Sequence, residues 1–520
     1  MLAAMLVIYL TMAIGSTPSE GRVSRRLMEL HGLETYLVHS PTQGMPSSFP
    51  SQKLWQIALL RDVADQLLNI KVEQRLVYSY RHVIEGFAVL LTAQEAERMG
   101  LREEVTLVQK DEVAAKPQTT RTPAFLNLLS PALGDGPLWT ASRRGQDVII
   151  GILDSGVWPE HPSFSDSGGA YGPVPGRWKG QCESYPPSFI PSASCNLKLI
   201  GARAFFNGYE SYEGPINETV EFRSPRDNVG HGTHTASTAS GSTLLTNSSF
   251  FGFAPGTPTG MAPTSRLAVY KVCWKPGCYS SDILAGFDAA ISDGVDVISV
   301  SLGGSGSSPY YTDPIAVGSF AAARNGIATS CSAGNGGPAG GTVAHGAPWI
   351  FTVAASTIDR GFPASVALGN GEVYVGSSLY AGPGLNGQLP LIAARDAAIN
   401  GSYLNGYYAQ TCGNVSLLNT TLVSGKIVLC IGGGGISRVK KGIVVREAGG
   451  VGMILENTYG ELTLADSHVL PALSIGAKAA AAILLYIRNT SNPTAAISNA
   501  VMRLGTTPAP AMAAFSSRGP

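Results

Sequence analysis

Three residues in this sequence have the types and the surroundings for acyl-transfer chemistry. Asp154 closes the run Val148-Ile149-Ile150-Gly151-Ile152-Leu153, His231 stands between Gly230 and Gly232, and Asn335 follows Ser332-Ala333-Gly334. A hydroxyl nucleophile needs a base that takes its proton and later returns it, and an imidazole does both near neutral pH. A buried carboxylate can hold that imidazole in one tautomer and stabilise its cation. A side-chain amide on a glycine-flanked turn can donate to the oxyanion of a tetrahedral intermediate. His231 is therefore the candidate general base, Asp154 its orienting carboxylate and Asn335 the oxyanion donor. Asp227, close to the histidine in sequence, is the lesser alternative as orienter. No obvious nucleophile accompanies them before Pro520.

Competing chemistries have weaker support. His231 and His234 are close enough on a helix to share a metal with Asp154, but no His-Glu-x-x-His accompanies them and no acidic calcium loop is recognisable. No metal and no cofactor is expected. Gly432 to Gly435 lacks the Lys-Ser/Thr of a phosphate loop and reads as a turn. Cys331, beside the Asn335 run, reads as core packing rather than as a nucleophile.

The elements that must position these groups follow from patterning. The apolar run ending at Asp154, then Arg266 to Val272, Val295 to Ser301 and Ile327 to Ser332 read as strands; Ser281 to Asp293 and Asp313 to Asn325 read as helices, the second with Pro314 in its first turn and Gly326 after its end. Such alternation implies a parallel α/β sheet. Sheets of this kind present functional groups beyond the carboxyl ends of their strands, where Asp154, Ser301-Leu302-Gly303 and Asn335 all fall.

Upstream, residues 21–118 contain no cysteine and carry their own βαββαβ order, that of a ferredoxin-like unit: Thr35 to His39, a helix over Leu54 to Leu67, Leu76 to Tyr80, Phe87 to Leu91, a helix opened by the capping box Thr92-Ala93-Gln94-Glu95, and Val105 to Gln109. Lys116 to Pro123 reads as an exposed linker. Residues 365–501 shift toward Gly, Ala and Asn, with strands at Lys426 to Cys430 and Gly452 to Leu455 and a helix at Ile475 to Ile487, and read as an inserted domain. Arg503 to Ser517 would return the chain to the first sheet.

Bulk composition excludes some classes. With 36 basic and 36 acidic residues and only 14% charged, no footprint for nucleic acid or an anionic membrane is visible. Residues 1–20 read as a signal peptide, removed on export, which leaves no membrane segment. Asn-x-Ser/Thr sequons at Asn217, Asn247, Asn400, Asn414, Asn419 and Asn489 fit a secretory route, as do closely spaced cysteines. Proximity pairs Cys182 with Cys195, Cys273 with Cys278, and Cys412 with Cys430, which leaves Cys331 over.

Ile152-Leu153-Asp154-Ser155-Gly156, Gly230-His231-Gly232-Thr233-His234 and Ser332-Ala333-Gly334-Asn335 resemble three blocks of the subtilisin-like serine proteases. Trp158 to Phe164, Ser224-Pro225-Arg226-Asp227, Ala268 to Trp274 and Phe515 to Pro520 resemble the plant subtilases in particular. The resemblance implies a secreted serine endopeptidase precursor of the apoplast or cell wall, acting on protein or peptide substrates. It implies an inhibitory propeptide over 21–118, removed before Thr119-Thr120, a catalytic domain over 119–364 and 502–520, and a protease-associated insert over 365–501. It also implies that Ser301-Leu302-Gly303 pairs with the substrate backbone. The family carries its nucleophile in a Gly-Thr-Ser-Met-Ala block after the Ser-Ser-Arg-Gly-Pro segment. The 520 residues alone are therefore expected to lack activity, and a catalytically dead binding or inhibitory module is the alternative reading.

Overall fold

Apolar strands that are buried on both faces must lie inside a layered sheet, and those ending near Asp154 do. In a computed structural model that describes residues 33–41, 45–64, 70–80, 86–105, 107–110, 121–130, 134–167, 171–244, 248–250, 252–303, 308–399, 408–457 and 463–519, the chain folds around three sheets. The expected signal peptide, Thr119-Thr120, Asn247 and Asn400 lie outside the described residues.

The N-terminal unit places β1 (Glu34–His39), α1 (Gln52–Val63), β2 (Leu76–Tyr80), β3 (Gly86–Leu91), α2 (Ala93–Gly100) and β4 (Leu107–Lys110) in one four-stranded sheet of order β2-β3-β1-β4, every neighbour antiparallel. This is the ferredoxin-like order. The capping box forms as expected: Glu95 N donates to Thr92 Oγ1 at 3.2 Å and Thr92 N donates to Glu95 Oε2 at 2.8 Å. Glu95 also receives the buried guanidinium of Arg75. α1 is described over Gln52–Val63, the expected end at Leu67 lying outside the described residues, and Pro123 of the expected linker is buried in a helical turn over Thr122–Phe125.

The central sheet has six parallel strands: β5 (Ile149–Asp154), β6 (Leu199–Ala204), β7 (Arg266–Lys271), β8 (Val297–Val300), β9 (Ala328–Ser332) and β10 (Phe351–Val353). Their order is β10-β9-β8-β5-β7-β6. The first strand is thus interior, with later strands added on both sides, and its carboxyl end is a topological switch point. Helices α3 (Asn207–Glu213), α4 (His231–Ser240), α5 (Ser280–Asp293) and α6 (Pro314–Arg324) connect or flank these strands. Asp313 caps α6, accepting from Ile315 N at 2.8 Å and Ala316 N at 3.3 Å, and Gly294 closes α5 with φ of 84°.

The N-terminal unit lies against this domain through two tyrosines that share a face of β2. Tyr78 Oη donates to Asp282 Oδ1 at 2.6 Å and accepts from Asn207 N at 3.1 Å; Tyr80 Oη donates to the Ser281 carbonyl at 3.0 Å.

Past a two-stranded pair of β11 (Arg360–Gly361) with β19 (Arg503–Leu504), the chain enters and leaves a closed barrel. Its strands are β12 (Pro363–Leu368), β13 (Val373–Ser377), β14 (Leu385–Ala393), β15 (Ile427–Ile431), β16 (Gly452–Glu456), β17 (Ala472–Ile475) and β18 (Thr494–Ile497), in the order β12-β13-β17-β16-β15-β14-β18. Helices α7 (Arg438–Glu447) and α8 (Ala477–Asn489) cover it. Ile475, expected to open a helix, is the buried last residue of β17. The carbonyls of Gly433 and Thr411 accept from the buried Lys441 ammonium, so the Gly432–Gly435 turn wraps a cation of its own chain. The three expected disulfides are closed and Cys331 is free and buried. Residues 512–519 add no strand to the central sheet. They clasp the turn after β9 instead, where Ser517 N donates to the Gly334 carbonyl and Gly337 N to the Phe515 carbonyl, each at 3.0 Å.

Candidate active site

A carboxylate at the end of a buried strand keeps a charge only if donors surround it. Asp154 is 1% exposed, and its oxygens take three donors. Ser155 N reaches Oδ1 at 2.7 Å, Thr235 Oγ1 reaches Oδ2 at 3.0 Å, and His231 Nδ1 lies 2.5 Å from Oδ1. The contact with Asp154 places the imidazole proton on Nδ1 and leaves Nε2 as the basic nitrogen. Nε2 is buried and has no hydrogen-bond partner among the described residues. A hydroxyl placed there would meet a base already oriented from behind.

His231 opens α4, and the approach of that helix to the exit of β5 is unusually close. A Cβ on Gly232 would fall 2.3 Å from the Gly156 carbonyl oxygen, so only glycine lets the imidazole come within reach of Asp154. Asp227 holds the same junction from the other side. Its Oδ1 accepts from Val229 N at 3.0 Å, Gly230 N at 2.8 Å and Ser155 Oγ at 3.0 Å; its Oδ2 accepts from Thr233 N at 2.9 Å and Thr233 Oγ1 at 2.6 Å. Ser155 Oγ in turn accepts from Gly232 N at 2.8 Å. Among the described residues Asp227 forms no hydrogen bond with the imidazole but fixes both backbones that carry the pair. Sequence reasoning weighed it only as a rival to Asp154. It missed Ser155, Thr233 and Thr235, for which the available signal was their adjacency to the two blocks.

Asn335 is exposed on the turn after β9. Gly334 there has φ of 98°, a left-handed conformation that suits glycine, and Ser517 Oγ accepts from Gly336 N at 3.0 Å. Because β5, β8 and β9 are parallel neighbours, their carboxyl ends share one edge, with the end of β9, which leads into the Asn335 turn, two strand spacings, roughly 10 Å, from the end of β5. Ser301-Leu302-Gly303 lies between them. β8 ends at Val300, Leu302 is 1% exposed, and its carbonyl accepts from Ser332 Oγ at 3.0 Å, so Ser301 is outside the strand in which it was expected.

His234 faces away from the pair. It lines a cavity of about 470 Å³ with His161, Arg121 and Arg360, and burial lowers its pKa, with the nearby His231 adding to the effect. The two histidines of α4 therefore do not converge on one metal. Among the described residues no group of three or more His, Cys, Asp or Glu is placed to hold an ion.

The site is thus a buried Asp–His pair beyond the carboxyl end of an interior strand of a doubly wound parallel sheet, at the switch point where such α/β folds place their functional groups. The sequence profile of the subtilase family matches residues 145–520, and that of the peptidase inhibitor I9 family matches residues 35–115. The chain belongs to the subtilase family. It is 48% identical over 496 residues to the subtilisin-like protease SBT1.4 of Arabidopsis thaliana, covering 94% of this chain and 60% of that protein. It is 47% identical over 498 residues to the subtilisin-like protease SBT1.7 of the same plant, with 94% and 61% covered. The chain thus spans about three fifths of the length of these relatives.

Proposed function

We propose that this chain belongs to a secreted subtilisin-like serine endopeptidase that is made with an inhibitory propeptide. The observation that carries the reading is the Asp154–His231 pair, whose Nε2 is buried and unpartnered among the described residues. A seryl hydroxyl facing Nε2 gives up its proton to His231 as it attacks a peptide carbonyl. Asp154 stabilises the imidazolium that forms, and the imidazolium returns the proton to the leaving amine. Asn335 donates to the oxyanion, and the backbone at Ser301-Leu302-Gly303 pairs with the substrate as an added strand. On this reading the hydroxyl that His231 deprotonates is the serine of the Gly-Thr-Ser block that the family carries after its Ser-Ser-Arg-Gly-Pro segment, here Ser516 to Pro520.

The domains take the boundaries 21–118 for the propeptide, 119–364 with 502–520 for the catalytic unit, and 365–501 for a protease-associated insertion. The barrel over Pro363–Ile497 supports the last of these. Export to the apoplast or cell wall is supported by three closed disulfides and by the exposure of Asn217, Asn414 and Asn489. Asn419 is half-buried, with its side-chain oxygen committed to Thr421 N and Leu422 N. No described helix is long and apolar enough to cross a membrane.

A fluorophosphonate probe tests the reading on the secreted product of a gene that encodes this chain together with a following Gly-Thr-Ser block. Labelling of one serine is expected, with His231→Ala lowering the labelling rate by about 10²–10⁴. A correctly folded product that takes no label would overturn it.

A further inference from the structure

Strands β14, β15 and β16 run parallel side by side in the barrel, so their carboxyl ends meet at one rim. A pocket of about 190 Å³ opens there. Ala393, Ile431 and Glu456, the last residues of the three strands, line it together with Arg395, Gln410 and Leu484. The carboxyl edge of parallel strands is where α/β sheets place their ligands, and nothing in the proposed peptidase chemistry uses this one.

The charges of the pocket are its distinguishing feature. A guanidinium and a carboxylate in so small a space would ordinarily close on one another. Arg395 and Glu456 line the same pocket without forming an ion pair, and neither side chain has a hydrogen-bond partner among the described residues. Burial, with no cation to offset it, pushes the Glu456 carboxyl above its ordinary value. The space holds about six waters at roughly 30 Å³ each, which is the size of one amino acid and too small for a folded epitope. A molecule that carries a carboxylate and an ammonium on one carbon can occupy both partners at once. Its carboxylate meets the planar fork of Arg395, its ammonium meets Glu456, and an apolar side chain rests on Ile431 and Leu484.

We propose that this rim pocket binds a free α-amino acid with an aliphatic side chain, held between Arg395 and Glu456. The terminal residue of a peptide offers only one of the two charges, so the free zwitterion is the better match.

Isothermal titration of the whole chain with L-leucine, up to about 10 mM, tests this. L-Leucinamide, which lacks the carboxylate, N-acetyl-L-leucine, which lacks the ammonium, and the peptides Gly-Gly-Leu and Leu-Gly-Gly are titrated in parallel. L-Leucine is expected to bind saturably and the other four about tenfold more weakly or worse. Arg395→Gln should weaken L-leucine about tenfold without changing L-leucinamide, and Glu456→Gln should weaken it similarly without changing N-acetyl-L-leucine. Both side chains are partly exposed and make no contact that the fold needs, and unchanged melting of the variants checks this. No saturable binding of L-leucine to the native chain, a peptide bound as tightly as L-leucine, or variants that bind it as well as the native chain would each overturn the proposal. None of these outcomes bears on the Asp154–His231 pair, which lies in another domain.

Discussion

Replacing Asp227 by asparagine keeps the side chain's size but removes its charge and one acceptor oxygen. In the native chain that carboxylate takes five donors while only 3% exposed. The amide nitrogen must stand either against Val229 N and Gly230 N or against Thr233 N. The second choice costs less, because the Thr233 hydroxyl can turn to accept from it, but it leaves one buried N–H without a partner at about 1–3 kcal/mol. The three bonds that remain lose their charge assistance and weaken by roughly half. Together these put the loss at about 2–4 kcal/mol. A domain of this size melts about 2–4 °C lower for each kcal/mol, so the transition of the central sheet should fall by roughly 4–16 °C. The barrel, which shares none of these contacts, should melt as before. Differential scanning calorimetry reads both. The His231 Nδ1 proton, held in a short bond to Asp154, gives a second reading by NMR, and its resonance should shift upfield or broaden as Ser155 and Gly232 loosen. A melting point within about 2 °C of the native chain, with that resonance in place, would refute the view that Asp227 holds the junction.

Three further outcomes follow. His468 is buried with both ring nitrogens unpartnered among the described residues, and burial lowers its pKa below the ordinary 6.5. The unfolded chain therefore binds a proton that the barrel refuses, so barrel stability should decline as pH falls below about 6.5; His468→Leu should flatten that decline in thermal melts at pH 4.5 to 7.5, and an unchanged slope would count against it. Tyr78→Phe removes a hydroxyl that donates to the buried Asp282, leaving the N-terminal unit bound about 1–3 kcal/mol more weakly; hydrogen exchange at α3 and α5 should rise by about fivefold or more, and equal exchange would be contrary. Burial pushes the Cys331 thiol well up, so the native chain should be inert to a thiol reagent such as DTNB and should show one reactive thiol after denaturation without reductant.

How much of this was legible in the sequence depended on whether the determining contacts were local. β5 could be read because a strand buried on both faces must be apolar throughout, and all six of its residues are buried. The capping box and the three cysteine pairs are local as well, the paired cysteines lying 5 to 18 positions apart in sequence. β6 escaped notice because Gly201 and Arg203 interrupt its pattern. Tertiary partners account for both: a Cβ at Gly201 would meet the Trp178 ring at 2.5 Å, and Arg203 bonds Glu183 and Asp293. β10 is a three-residue edge strand with Phe351 and Val353 exposed, and no period can be read from so short a run. At the site, Asp154 was told from Asp227 by its strand-end context. The role of Asp227 depends on Ser155, 72 residues away, and no local pattern announces such a bond.

The contact between the N-terminal unit and the central domain divides its hydrogen bonds unequally. Asp282 accepts from Gly208 N at 2.7 Å and Tyr209 N at 2.8 Å, so it satisfies two of the first amides of α3 from within the central domain. The N-terminal unit supplies the rest: Tyr78 Oη accepts from Asn207 N, and the Val77 carbonyl accepts from Asn207 Nδ2 at 3.2 Å. If the unit left, α3 would keep the contacts to Asp282, while Asn207 and the Ser281 carbonyl would turn to water. Each bond exchanged in this way is worth only about 0.5–1.5 kcal/mol net, so the bonds give the contact its specificity, and the burial of Tyr80 and Ala88 in one cluster with Ile283 and Leu284 gives it most of its strength. The N-terminal unit thus completes the start of α3 from outside, while Asp282 holds two of the same helix's first amides from within the central domain.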